Sequence, residues 1–297
     1  MNKENKFKIM TWNVQGEASL GWNNQYKIKS NLVDKIIEQQ ADIVVLTAFV
    51  VAKGIDYLFE HLQNEGYIWF QGSCSGKNGI LIAIKENLIN SKKQLVDSIY
   101  ENNIIHSNVS GCNILSVKIP LKNERSLSII GCRMETGKNI KSENNNNKDY
   151  RELLRIQYDL ERKNFDNILI PLIKEHTKNN CLAIVCGDFN NAKCYGDLTK
   201  SFNEQDYIDN KGKKSHFNYN INIIKDELQN HDLIMADIQE SGESITTHIK
   251  EDRYGKTYDF PLDHIFLKGF TSQKCYTIPE SELSDHFILI SEAILNQ

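Results

Sequence analysis

Uninterrupted apolar runs of strand length constrain this chain most. "IVVL" (Ile43–Leu46) and "LAIVC" (Leu182–Cys186) are apolar without a break, and each is followed closely by a turn. Such runs are read as buried strands. Other stretches have helical spacing. "IKSNLVDKIIEQQ" places Ile28, Leu32, Val33, Ile36 and Ile37 on one face, and Ile55, Leu58, Phe59 and Leu62 recur at the same interval. "FKIMTWN" alternates, with Phe7, Ile9, Thr11 and Asn13 on one side. "YIWFQ", "GILIAIK", "NILSVKI" and "SLSIIGC" are further candidate strands, and "LDHIFL" and "DHFILISEAIL" close the chain as strands. The stretch from Tyr150 to about Lys178 is expected to be helical, with a break near Pro171. "ENNNNK" (Glu143–Lys148) and the polar segment Asn191–Tyr219 are expected to be surface loops. No internal repeat and no Pro- or Gly-rich boundary divides the chain, so one α/β domain over residues 1–297 is expected.

The chain has 297 residues, 40% of them hydrophobic, which suffices for a large layered core. Its net charge is −4, so no global positive charge announces a nucleic-acid partner. No apolar run approaches the ~20 residues needed to cross a membrane. "MNKENKFKIM" has no apolar signal core, so a cytoplasmic protein without a membrane partner is expected. The cysteines at 74, 112, 132, 181, 186, 194 and 275 are odd in number and form no CxxC pair, which fits scattered reduced thiols better than a zinc site. The Asn/Lys/Ile-rich composition suggests an AT-rich bacterial genome. Nothing in the sequence names a partner protein.

Four short motifs stand at expected strand ends: "TWNVQG", "LTAF", "CGDFNNA" and "SDH". A fifth, "PLDHIFL", is expected inside a strand. Each alone has an ordinary structural explanation. Asn13 can cap a turn, Asp188 and Asn190 can build one, and His286 can be a structural histidine. Together and in this order they resemble the endonuclease/exonuclease/phosphatase superfamily, the DNase I-like fold, over Phe7 to about Leu295. The resemblance implies a two-layered β-sandwich flanked by helices, a four-layer α/β/β/α architecture.

The resemblance also implies a site. Phosphoester hydrolysis needs an activated water, a stabilised pentacovalent phosphate and a neutralised leaving oxygen. Asn13 and Asp285 would hold Mg²⁺ or Mn²⁺ through oxygen. Asp188 would orient or deprotonate the attacking water, and Asn190 would hold that water or a phosphate oxygen. His286 would contact a non-bridging phosphate oxygen or act as general acid/base, with Asp263 fixing its tautomer and raising its pKa.

Two positions depart from the family pattern. Where many members carry His or Tyr after the strand corresponding to "SLSIIGC", this chain has "RMETG", and Arg133 can bind phosphate bidentately. Where the family has a metal-binding glutamate in a Leu-Gln-Glu or Leu-Thr-Glu triplet, this chain has Leu46-Thr47-Ala48. A natural pseudoenzyme and a deliberate glutamate-to-alanine replacement both account for Ala48. Retention of Asp188, Asn190, Asp263, Asp285 and His286 favours the second. The expected function is a cytoplasmic metal-dependent nuclease acting on DNA or RNA, disabled at residue 48. Scattered lysines are available to touch a phosphate backbone, and Trp12, Trp22 and Trp69 to stack on bases, although core packing suits most of them better. A small-molecule phosphatase with the same site, or a non-catalytic nucleotide or nucleic-acid binding module, are the alternatives.

Overall fold

A computed structural model describes residues 5–14, 28–49, 54–71, 79–90, 113–121, 125–134, 165–178, 181–190, 221–251, 254–255 and 257–296. Two mixed sheets stack face to face. The first runs β12-β13-β1-β2-β4-β3 and the second β5-β6-β7-β11-β8. Their strands are β1 (Lys6–Asn13), β2 (Ile43–Phe49), β3 (Tyr67–Gln71), β4 (Gly79–Lys85), β5 (Asn113–Pro120), β6 (Ser126–Arg133), β7 (Leu182–Asp188), β8 (Ile234–Met235), β11 (Asp263–Lys268), β12 (Phe270–Ile278) and β13 (Ile288–Leu295). A separate hairpin pairs β9 (His248–Glu251) with β10 (Thr257–Phe260). Helices α1 (Ser30–Glu38) and α2 (Ile55–Asn64) accompany the first sheet. Helices α3 (Ile170–His176) and α4 (Ile221–Gln229) accompany the second.

Strand alternation builds the layers. Ile9, Ile43, Val45, Ile82 and Leu289 from the first sheet meet Val117, Ile129, Ile184, Cys186 and Ile265 from the second in the inter-sheet core. The intervening residues Met10, Val44, Leu46, Leu81 and Ile290 turn outward to Leu32, Val33, Ile36, Leu58 and Leu62 of α1 and α2. Ile130, Val185 and Phe266 pack against Ile173 of α3 and Ile224 and Leu228 of α4. Each fully buried side chain of this kind contributes about 1.5–3 kcal/mol by its removal from water. The sequence therefore reads as near-continuous apolar runs because both faces of each sheet are covered. This is the expected α/β/β/α arrangement.

Local details differ from expectation. Ile28 is buried but precedes α1. Pro171 stands in the first turn of α3, directly after a π-helical turn, Phe165–Leu169. A proline is tolerated there because the first-turn N–H groups lack intrahelical acceptors anyway. The earlier part of the expected helix, "ENNNNK", Asn191–Tyr219, Trp22 and Cys74, Cys112 and Cys194 lie outside the described residues. Cys132, Cys181, Cys186 and Cys275 are free thiols. Among the described residues no helix is long and apolar enough to cross a membrane.

Two glycines set close approaches near one end of the sandwich. A Cβ on Gly131 of β6 would stand 2.8 Å from both Ile80 Cγ2 and Val45 Cγ1 of the facing sheet. Gly187, at φ 140°, brings its Cα so near the Cys132 carbonyl that an added Cβ would lie 2.0 Å from the oxygen.

Candidate active site

The carboxyl ends of two parallel pairs, β1/β2 and β6/β7, come to the same end of the sandwich as the start of β11. Within the second sheet, Arg133 is the register partner of Asp188, and Asp188 that of Asp263. Within the first, Asn13 is the partner of Thr47. Period-two alternation places Asn13, Asp188 and Asp263 on the inter-sheet face, in line with the core residues Ile9, Cys186 and Ile265. Asp263 is the first residue of β11, not an interior one. His286 forms an isolated bridge with His248 and precedes β13 by two residues.

The side chains form one connected network. Asn13 Nδ2 donates to Asp188 Oδ2 at 2.7 Å and lies 3.4 Å from His286 Nε2. Asn190, held at φ +46°, donates its backbone N–H to Asp188 Oδ1 at 2.8 Å and its amide to Asp188 Oδ2 at 2.9 Å and to the Met134 carbonyl. Asparagine tolerates this left-handed conformation better than most residues do. His286 Nδ1 donates to Asp263 Oδ2 at 2.7 Å. Arg133 Nε stands 3.6 Å from Asp188 Oδ2, too long for a hydrogen bond, so this N–H is not spent on Asp188.

Burial and charge set the protonation of the network. Asp188 and Asp263 are fully buried and His286 is 5% exposed. Burial pushes the Asp188 carboxyl up, and Asp263 adds to that, against the pull of His286, Arg133 and the Asn190 N–H. Burial alone would lower His286, but the Asp263 charge and hydrogen bond, with Asp188 and Asp285, raise it to about 9.

The supporting contacts explain why distant segments converge. Ser284 Oγ donates to the Asn13 carbonyl at 2.6 Å and accepts the His286 N–H at 3.1 Å. Trp12 is fully buried and its Nε1 donates to the His286 carbonyl at 3.0 Å, so it serves the site from the core and does not stack on bases. Trp69 stacks on Phe59. Thr247 Oγ1 accepts the N–H groups of Leu262 and Asp263, and its carbonyl accepts from Phe287.

Sequence reasoning missed His248. Its Nδ1 donates to the Asp285 carbonyl at 2.9 Å, and its ring lies 4.8 Å from that of His286 at 33°. The only local signal was a histidine in an alternating segment, and that is too common to identify a site residue.

Ala48 occupies an irregular position. The β2/β4 ladder pairs Leu46 with Leu81 and Phe49 with Gly79, so two residues of β2 stand against Ile80 alone. Leu46 and Phe49 both reach the helix-side core, although an unbroken strand would send residues three apart to opposite faces. The bulge shifts the alternation at residues 47 and 48, the device by which strands re-aim a side chain beside active sites. Ala48 is buried and adopts φ +51°, a conformation costing a non-glycine residue about 1–2 kcal/mol. Thr47 Oγ1 beside it is buried with no hydrogen-bond partner among the described residues.

The family model described as "Endonuclease/Exonuclease/phosphatase family" matches residues 10–286. No curated protein matches the chain. Among solved structures, ANGEL2, a 2',3'-cyclic phosphatase in complex with adenosine-2',3'-vanadate, superposes with a TM-score of 0.61 at 14% identity, covering 98% of this chain and 96% of that one. D. rerio TDP2 complexed with a single-strand DNA product gives 0.57 at 16%, covering 97% and 98%. An AP endonuclease from Archaeoglobus fulgidus gives 0.57 at 16%, covering 98% and 100%. At these identities the likeness is one of fold.

Proposed function

Because the chain belongs to the endonuclease/exonuclease/phosphatase family, we propose that it is a metal-dependent phosphoesterase, and specifically a nuclease acting on DNA or RNA phosphodiesters. The observation that carries this is the continuous hydrogen-bonded chain Asn190–Asp188–Asn13 beside Asp263–His286, assembled from both sheets at one end of the sandwich.

Each residue then has a role that its surroundings support. Asp188, with its carboxyl pushed up by burial, takes the proton of the attacking water. Asn190 orients that water or a phosphate oxygen. Asp263 holds His286 with Nδ1–H inward, so Nε2 faces the phosphate or the leaving oxygen. Arg133 meets the negative charge with an N–H that is not hydrogen-bonded to Asp188. Asn13 and Asp285 are the oxygen-bearing groups that would hold Mg²⁺ or Mn²⁺, the Asp285 side chain being 41% exposed. When bound, such a cation neutralises charge on the phosphate and the departing oxygen.

Ala48 contributes no ligand. The bulge that aims residue 48 is retained and so are the other motif residues, which supports a glutamate replaced by alanine over gradual loss. The Ala48 chain then binds substrate with little turnover. Nucleic acid as substrate draws support from TDP2 with its single-strand DNA product, and a small cyclic or monoester phosphate, the second reading, from ANGEL2. The deciding experiment is cleavage of DNA, RNA and phosphomonoesters by the Ala48→Glu variant with Mg²⁺ or Mn²⁺. Turnover of a polynucleotide supports the nuclease, turnover of monoesters alone the phosphatase, and turnover of neither, with ligand still bound, a binding module.

A further inference from the structure

We propose that Asp237 and His264 are positioning residues for the reaction: as a buried cross-strand pair they lock the register of β11, so that Asp263, and not its neighbour, faces the site. The inference rests on the phosphoesterase reading above and on the roles it gives Asp263 and His286.

The apolar pattern of β11 leaves its register open. Ile265 and Leu267 enter the inter-sheet core, and Phe266 enters the core against α3 and α4. Both faces of the strand are therefore apolar. A slip of one residue turns every side chain to the opposite face. At these core positions it would exchange apolar for apolar. For the chemistry the same slip is decisive, because Asp263 would leave the site and His264 would take its face.

β8 gives little backbone to oppose the slip. It has two residues, pairing Ile234 with Leu267 and Met235 with Phe266. Continued in the same register, the pairing sets Asp237 opposite His264, where the two side chains share a face. There His264 Nδ1 donates to Asp237 Oδ2 at 2.8 Å, and both residues are fully buried. Asp237 Oδ1 accepts the Ile265 N–H at 3.4 Å, and the Ala236 N–H donates to the Ile265 carbonyl at 2.8 Å. The His264 ring lies 5.7 Å from that of Phe189, the residue between Asp188 and Asn190. The Asp237 carbonyl accepts the Ile245 N–H at 3.1 Å, two residues before Thr247, whose Oγ1 accepts the Asp263 N–H at 2.9 Å. The pair thus ties β8, the 188–190 turn and the approach to Thr247 to the start of β11.

The energetics favour a role in specificity over one in stability. Taking a carboxylate and an imidazole out of water is expensive, and apolar residues of similar volume in their place are often as stable or more so. What the pair adds is direction, since it forms in one register only. A slipped β11 would leave Asp237 buried without this partner, which is costly.

The test reads the ring N–H resonances of the full Ala48 chain by proton NMR. The His286 Nδ1–H on Asp263 should give a downfield signal, assigned by its loss in His286→Ala. The double variant Asp237→Leu/His264→Phe should unfold cooperatively at or above the parent's temperature, and should lose or split the His286 signal. On the Ala48→Glu background it should lower kcat by about 100-fold, the scale of a small misplacement, with KM little changed. Asp237→Asn keeps an oxygen to accept from His264, and His264→Gln keeps an N–H donor, so each should retain the signal and most of the turnover. These two carry the test should the double variant not fold. A folded double variant with the His286 signal and kcat unchanged would overturn the proposal, as would loss of both in folded Asp237→Asn and His264→Gln. The NMR readout is independent of turnover. If Ala48→Glu cleaves no phosphoester, the phosphoesterase reading falls, and the His286 signal still decides the register lock.

Discussion

Asp263 and His286, twenty-three residues apart, are joined by a 2.7 Å hydrogen bond that closes the gap between the two sheets: Asp263 opens β11 of one, and His286 leads into β13 of the other. Asp263→Asn keeps the shape but can present an N–H donor where His286 needs an acceptor. On an Ala48→Glu background, this variant should keep its circular dichroism and lose turnover by about two orders of magnitude or more. Full activity in a folded Asp263→Asn protein would end the orienting role.

Asp188→Asn and His286→Ala, each added to Ala48→Glu, should lower turnover by roughly two or more orders of magnitude, the scale of a positioned acid or base. Steady-state cleavage of the best substrate measures it. Near-normal rates in either variant would remove that residue from its assigned role.

Ala48→Glu itself should raise metal-dependent phosphoester cleavage above the parent chain and tighten Mg²⁺ or Mn²⁺ binding in calorimetry. The fold should be unaffected, because residue 48 already has the bulged backbone that a glutamate there would need. No gain in either measurement would refute the assignment of residue 48 as a vacant ligand position.

Gly187→Ala should destabilise the protein by about 3 kcal/mol or more, the upper range for overpacking, since the added methyl meets a backbone carbonyl that cannot swing away. Gly131→Ala should cost about 1–3 kcal/mol, because its neighbours are side-chain tips of Val45 and Ile80. Thermal denaturation orders the two. The idea fails if Gly131→Ala proves the worse.

His176 predicts a pH effect on stability away from the site. Burial lowers its pKa below the usual 6.5, with Lys118 assisting and Glu175 opposing, and its ring is hydrogen-bonded to Ser116 Oγ. The folded state disfavours the protonated ring. Its contribution to stability is therefore complete above pH 6.5 and is lost as pH falls through the lowered folded value. His176→Gln should flatten the decline in denaturant midpoint over that window, and an unchanged slope would exclude His176 as its source.

The sequence located the candidate residues that lie at the ends of regular elements. Asn13 and Asp188 terminate strands whose apolar pattern is strong because both sheet faces are covered, so their positions could be read by counting along the run. β12 was missed because it is an edge strand in which Thr271, Gln273 and Lys274 meet solvent. α4 was missed although Ile221, Ile224 and Leu228 recur at helical spacing, because it follows a long polar segment. His248 was invisible for another reason. Its relation to His286 arises from one bridge between segments thirty-eight residues apart, and no local pattern encodes that.

The division of the site between the two sheets has a consequence in time. Asn13, residue 48 and His286 travel with the first sheet, while Arg133, Asp188, Asn190 and Asp263 travel with the second, and Gly131 sets how closely the two halves approach. A chain in which each sheet has formed but the halves have not yet docked would have its secondary structure and none of its chemistry. During refolding of the Ala48→Glu protein, activity should therefore return with the last consolidation of the Val45–Ile80–Gly131 seam, behind the recovery of the far-ultraviolet signal.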